Sequence, residues 1–515
     1  MEALRSARPA TPGLRVRPTR LRTWAEWQFV ALVASIALVA QLLARASGVA
    51  VRSADLHQAT GGTTWQLLSA ELLKQHLSSS LMNLPSQPPL FNLATAVLLR
   101  LPGSLAAVVI QVSSIAMAVC IAVATARILR SGGLGRLLTL VLVVVFVAAD
   151  PAQLLYPGWY FYATATAALA TAAAMFGFDL AKDRSLRSAC CFVTVLALLA
   201  LTNSSFQPIF VALAALPLLW QLRRARRILL IATVPAILIV GAWQANDVLR
   251  FNSWTTSDWG GMNLYKSTLW LAPKADRATM VARGELPPIA LIPGFSPLSR
   301  YGPLGTSPHR GVPALDRPFN GVRPNYNNAA YLEISRRYLT ADLRYIEHRP
   351  AAYLDHLTIG ARLAALPAEE YVKIIRLPAF ALGGYTLAYE HFIDLQPRPN
   401  YFAAPVVAVT GRGPSLSALS LTVTLELLLF IFATPIAIWF ARRNRAFAVP
   451  LLSLWLLGIM PFATSILAEV GENNRFRYEL GTLPFCAAVL SVTVFVRLLR
   501  GQPAGPERRG ATGDG

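Results

Sequence analysis

The stretch Gly471–Phe485, GENNRFRYELGTLPF, sets Glu472, Arg475, Arg477 and Glu479 between two long apolar runs. A second set of reactive types, Asp55 and Glu71 with His57 and His76, lies in the polar segment after the first apolar run. Arginine clamps a phosphate bidentately and does not lose its charge. A carboxylate beside it can take a proton from a hydroxyl. A leaving phosphate needs charge stabilisation more than protonation. Together these types suit group transfer from a phosphate-linked donor. Each also has a plainer role. Asp55 could cap a helix, Glu71 could be the wet face of a surface helix, and Glu472 and Glu479 could simply pair with the arginines.

What positions these groups is a membrane. Of 515 residues, 55% are hydrophobic and 14% charged, against about 25% charged in ordinary soluble domains. Apolar runs cover 24–44, 104–126, 137–150, 160–178, 188–202, 208–221, 228–246, 416–440, 447–468 and 481–497. The expected fold is an all-α polytopic membrane protein with about ten transmembrane helices, within about 8 to 13 because several runs are short. A further apolar piece, 88–102, is expected as a short helix dipping into the membrane.

The net charge of +21 follows the loops. Lysine and arginine fill Arg5–Arg22, Arg127–Arg136, Lys182–Arg187, Arg223–Arg227, Arg442–Arg445 and Arg497–Arg509, while the alternate short loops carry none. That is the positive-inside pattern, and it predicts both termini in the cytoplasm of a plasma (inner) membrane protein. It also accounts for the charge without a nucleic-acid partner. The expected organisation is a cytoplasmic tail (1–23), an N-terminal membrane core (24–249) with an outer loop (45–87), a large extracytoplasmic region (250–415), C-terminal spans (416–499) with an outer loop (469–480), and a disordered cytoplasmic tail (500–515). The candidate site then belongs on the extracytoplasmic side.

The first outer loop predicts one amphipathic surface helix in TTWQLLSAELLKQHLSSSLMNL, with Leu73, Leu77 and Leu81 at i, i+4 spacing. Pro88–Pro89 then return the chain to the membrane, and Gln87 and Asn92 beside them are candidates to shape the floor of the site. Asp150 is expected to cap a helix start, and Trp254, Trp259 and Tyr265 to be interfacial anchors. Nine prolines between Pro287 and Pro324 exclude regular helix or central strand there. Helical period resumes over 327–350. The four cysteines and six histidines show no disulfide framework or metal spacing, so no protein-built metal site is expected. A carboxylate near a phosphate could still recruit a divalent metal.

The order of features resembles the membrane glycosyltransferases of the GT-C superfamily, in the group with protein O-mannosyltransferases and bacterial aminoarabinose transferases. The shared features are an acidic loop after the first span, the Pro-Pro re-entry SQPPLFNLATAVL, the many-span core, the large outer region, and ENNRFRYELGTLPF near the last spans. The resemblance implies a polyprenyl-phosphate sugar donor, a glycan, lipid or protein acceptor, and inverting displacement at the anomeric carbon. It implies an acidic base in the first outer loop, matched best by Asp55 with Glu71 as runner-up. Arg475 and Arg477 would bind the donor phosphate, with Glu472 and Asn474 positioning substrate. A paired acidic motif is absent, since Ala54 and Leu56 flank Asp55. Two other classes stay open: a lipid-linked sugar flippase or transporter, and a surface-polysaccharide polymerase or ligase. No internal repeat of the transporter kind is evident.

Overall fold

The computed structural model describes residues 25–223, 225–306, 309–371, 382–397 and 413–506. The expected tail 1–23, residues 507–515 and parts of the outer region lie outside them. The described chain is mostly helical, with one two-stranded antiparallel ribbon, Phe319–Asn320 against Arg323–Pro324. Six helices are long and apolar enough to cross a membrane: Glu26–Ala46, Gly103–Ser131, Ala163–Asp183, Arg227–Phe251, Leu421–Ala441 and Arg445–Ala468. Two bent pairs bring the number to eight if each is one crossing, Arg136–Ala148 with Pro151–Gly158 and Asn473–Glu479 with Leu483–Leu499. Leu186–Thr202 and Pro208–Gln221 are shorter apolar helices. The protein is a multi-pass membrane protein.

Ala163–Asp183 is the centre of the bundle, packed by Gly103–Ser131, Leu186–Thr202 and Arg445–Ala468. Its alanines Ala167, Ala170, Ala173 and Ala174 are fully enclosed. In lipid, small residues let helix backbones approach, and packing rather than water exclusion holds them. One close approach is at Gly481, between the two arms of a 71° bend. Its φ is +62°, and a Cβ there would lie 2.3 Å from Thr171 Oγ1 and 2.5 Å from the Ala167 carbonyl. Only glycine fits that turn against that helix.

The basic loops gather at one end, where Arg127 pairs with Asp179, and Arg130 and Arg136 with Glu26. There Asn444 donates to the Pro506 carbonyl at 3.0 Å. The start of the expected loose tail is therefore packed as far as Pro506. At the opposite end the long loops interlock: Asn203 donates to Glu479, Thr256 to Gln207, and Lys266 to Glu469.

The expected single surface helix is two short ones, Ala70–Gln75 and Leu77–Met82, broken at His76, whose φ and ψ are −127° and 35°. Leu72 and Leu73 are buried while Leu81 is only partly so, because the break turns the second half away. Leu90–Leu98 follows the two prolines as a short helix.

The outer region has an aromatic core of its own. Helix Ala330–His348 presents Tyr331, Ile334, Tyr338, Ala341 and Tyr345 along one face. The proline-rich strand beside it cannot place its carbonyls in a regular ladder. The tyrosines satisfy them instead: Tyr326 donates to Phe295 O, Tyr331 to Ser296 O and Tyr338 to Ile292 O, at 2.7, 2.7 and 2.8 Å. Trp259 and Tyr265 belong to this core and are not interfacial anchors, whereas Trp254 stays exposed. Their ring area found apolar partners within the region.

Asp342, on the same helix, is fully buried and accepts one bond, from Thr268 Oγ1 at 2.6 Å. Burial pushes its carboxyl up to about 8. A raised folded-state pKa gives stability below the unfolded value, about 3.9, that is lost as pH rises through about 8. Asp342→Asn should therefore raise Tm over wild type at pH 8, with the advantage shrinking towards zero at pH 4. An equal shift at both values, in thermal unfolding of detergent-solubilised protein, would contradict it.

Candidate functional site

A cavity of about 910 Å³ opens at the interlocked end of the bundle. Its wall comes from five separate stretches: Gly48–Gln66 after the first span, Trp159–Phe161, Arg323 of the ribbon, Tyr371, and Glu472 with Arg475.

Asp55 lies in helix Ser53–Gln58 and accepts the Arg52 backbone N–H at 2.6 Å. The plain helix-capping role is real, and the same residue lines the cavity, half exposed. The bond also fixes Arg52 at the helix start, with its side chain at the cavity wall. The chain continues through the wide turn Ala59–Thr63. Gly62 there has φ +103°, and a Cβ would meet the Asn320 carbonyl at 2.3 Å. That close approach lets the ribbon dock. Val322 N–H donates to Gly61 O at 3.1 Å, and Asn320 Nδ2 to Leu67 O at 2.5 Å. Docking carries Arg323 to the cavity, with its guanidinium 5.9 Å above the Trp65 ring.

Opposite stands Arg475, nearly fully buried. Its Nε donates to Glu472 Oε2 at 3.0 Å, its Nη2 to the same oxygen, and its Nη1 to Glu479 Oε1. Phe476, Phe161 and Tyr371 rings stack round it at 4.3, 5.2 and 5.6 Å. Glu479 also receives Asn203 Nδ2 at 2.7 Å. Burial pushes the Glu472 carboxyl up, but Arg475 and Lys266 outweigh it and hold it down to about 2. Tyr371 adds a hydrogen bond to it. Beside it burial raises Glu469, against the pull of Lys266. Glu472 is thus a fixed anion, and Arg475 a cation already matched by two carboxylates.

Asp55, Glu472 and Arg475 therefore line one cavity, but Arg475, expected to bind a donor phosphate, is bound to two carboxylates instead. The other candidates do not join them. Glu71 forms a solvent-side bidentate pair with Arg317 at 2.7 and 2.8 Å, and Arg317 holds its carboxyl low. Arg477 donates to the Leu366 carbonyl and lines a separate small pocket with Asp150, Glu369, Asp394 and Glu426. Two helical positions lie about 200° apart, so Arg475 and Arg477 cannot close on one phosphate. Asp150 caps its helix through Ala152 N–H, as expected. Asn92 is fully buried, accepting Leu68 N–H and donating to Gln66 O, both at 2.9 Å. It holds the segment bearing Trp65 and Gln66 and does not touch the cavity. Gln87 and Asn474 are likewise buried, bonded to Ser204 and to the Pro367 carbonyl.

Arg52, Arg323, Trp65, Trp159 and Tyr371 are the lining residues that sequence reasoning missed. Arg52 had a signal, being a cation in a loop that the positive-inside pattern predicts to lie outside, where cations are disfavoured. Among the described residues no carboxylate lies within ion-pair distance of Arg52 or Arg323. Nor are any three His, Cys, Asp or Glu side chains disposed to hold a metal ion. Glu472 is committed to Arg475, so the cavity's own donors do not make up a metal-ligand set.

The arrangement offers two guanidiniums that make no ion pair with a carboxylate among the described residues, one partly exposed carboxylate and the flat faces of Trp65 and of Trp159, which stacks on Phe161 at 4.3 Å. It can hold an anion and a polar ring side by side. The chain matches no family model, no curated protein and no solved structure.

Removing Arg475 leaves the buried Glu479 and the partly buried Glu472 without their cation, a cost of about 3–5 kcal/mol. Arg475→Ala should give little monodisperse protein on size exclusion, while Arg323→Gln, at the surface of the cavity, should shift stability by no more than about 0.5 kcal/mol. Comparable Tm values for the two variants would refute the structural role given to Arg475.

Proposed function

We propose that the protein is a GT-C-type membrane glycosyltransferase that moves a sugar from a polyprenyl-phosphate donor to an acceptor hydroxyl with inversion. The observation that carries this is the cavity itself: Asp55, Arg52 and Arg323 face one space with Trp65 and Trp159, at the seam between spans and outer region. A prenyl-linked donor needs that seam, because its tail stays in lipid while its phosphosugar enters water.

In this reading the phosphate is bound by Arg52 and Arg323, the cavity cations that form no carboxylate ion pair among the described residues. Arg475 is a positioning residue that fixes Glu472. Asp55 takes the proton of the acceptor hydroxyl as its oxygen bonds to the anomeric carbon. The bond from that carbon to the phosphate oxygen breaks, and the electron pair leaves with the phosphate, whose charge the two arginines stabilise.

The finer topology belongs to the same proposal. The six long helices and two bent pairs give up to eight crossings, and in this proposal the two shorter apolar helices cross as well, making ten with both termini on one side. The basic loops lie at the end opposite the cavity, which supports a cytoplasmic position for the termini and an extracytoplasmic one for the site in the plasma membrane.

The test is transfer from a panel of radiolabelled polyprenyl-phosphate sugars to an envelope acceptor fraction by purified protein in nanodiscs. Asp55→Asn should lower turnover by about 10²–10⁴-fold, and Arg323→Gln by about 10²-fold or more. Glu71→Gln should stay near wild type. Loss in Glu71→Gln alone would move the base. Folded wild-type protein that neither transfers nor hydrolyses any donor would favour the flippase or transporter class.

A further inference from the structure

A second polar concavity lies on the outer region, apart from the cavity above. Two adjoining grooves of about 480 and 510 Å³ share Arg250, Phe251 and Arg310, and Arg336 lines the first. The acid in the first groove, Glu333, is paired with Arg337 at 2.7 Å. The groove is therefore strongly cationic.

Two of its arginines have structural duties. Arg336 Nη2 donates to the Phe251 and Asn252 carbonyls at 2.6 and 3.4 Å, closing the end of the long helix, and Arg250 Nη1 donates to Asn83 Oδ1 at 3.2 Å. These use part of each guanidinium fork, which has five N–H donors. The Arg310 guanidinium makes no hydrogen bond or ion pair among the described residues. No helix end or carboxylate accounts for it.

The position of the groove says what kind of anion it meets. It sits at the C-terminal end of Arg227–Phe251, a span with only 6% of its apolar window buried in the protein. Leu249, on the groove wall, is 84% exposed, and Trp254 just beyond is 79% exposed. A tryptophan at a span end marks the headgroup level. The apolar flank of the span leads directly into the cationic groove.

We propose that this groove binds the phosphate of an anionic phospholipid whose acyl chains lie along Arg227–Phe251. Arg310, Arg250 and Arg336 contact the phosphate, and Leu249 and the span contact the chains. The charge supplies the preference for anionic headgroups, and the apolar flank supplies the requirement for a lipid.

The test is native mass spectrometry of full-length protein in detergent, incubated with phosphatidylglycerol, phosphatidylcholine or sn-glycerol 3-phosphate. Wild type should retain one phosphatidylglycerol in preference to phosphatidylcholine. Arg310→Gln, which removes no internal bond, should lower that retention about fivefold or more with Tm unchanged. Arg283→Gln, on the outer surface away from the groove, should not. Equal retention of the two lipids would overturn the proposal, as would undiminished phosphatidylglycerol on Arg310→Gln. Displacement of the lipid by sn-glycerol 3-phosphate at equal concentration would also overturn it, by showing a site for a water-soluble anion.

Discussion

The interlocked end of the molecule is organised round one buried cation. Arg475 cannot be withdrawn from water unless every side of its charge is met. Glu472 and Glu479 meet it from one helical face, at positions i−3 and i+4. Tyr371 and Asn203 then secure the two carboxylates from other parts of the chain. Aromatic faces from 161, 371 and 476 close the remainder. The result ties the last bent span, the loop at 203 and the Trp159–Phe161 segment together. Those are the parts that the cavity wall needs in register.

Much of the fold is legible in the residues because a bilayer simplifies the problem. A long apolar run has few alternatives to a helix in lipid, so each expected run has a helix at its place. What periodicity could not give was the breaks. The kink at His76 carries no local stop signal, and the angles of the bends near Ala148 and Gly481 are not written locally, although Asp150 and Pro151 mark a helix start after the first. Gly481 is a partial exception, since a lone glycine after a helix is a familiar terminator.

The site was legible in part for the same reason. Charges between apolar runs are costly, so Glu472 and Arg475 stand out, and Asp55 stands out by its distance from the first span. Function was harder to read than position. Arg475 and Arg477 look equivalent in sequence, yet helical geometry sends them to opposite sides. The spacing of Glu472, Arg475 and Glu479 held the better clue, three residues and then four on one face. The ion pair of Glu71 is not legible locally, because its partner, Arg317, is 246 residues distant. Arg323 sits in a proline-rich stretch whose only local message is irregularity, and its place emerges from docking alone.

That docking runs through main chain. The ribbon meets the wide turn by Val322 N–H on Gly61 O, with Gly62 against the Asn320 carbonyl. Peptide groups are the same whatever side chains they carry. The joint is therefore indifferent to the identity of the residue at the ribbon's tip, where Val322 is 82% exposed. The tip of the ribbon can therefore vary in sequence while the spacing of Asp55 and Arg323 across the cavity stays held by the peptide contacts beneath it.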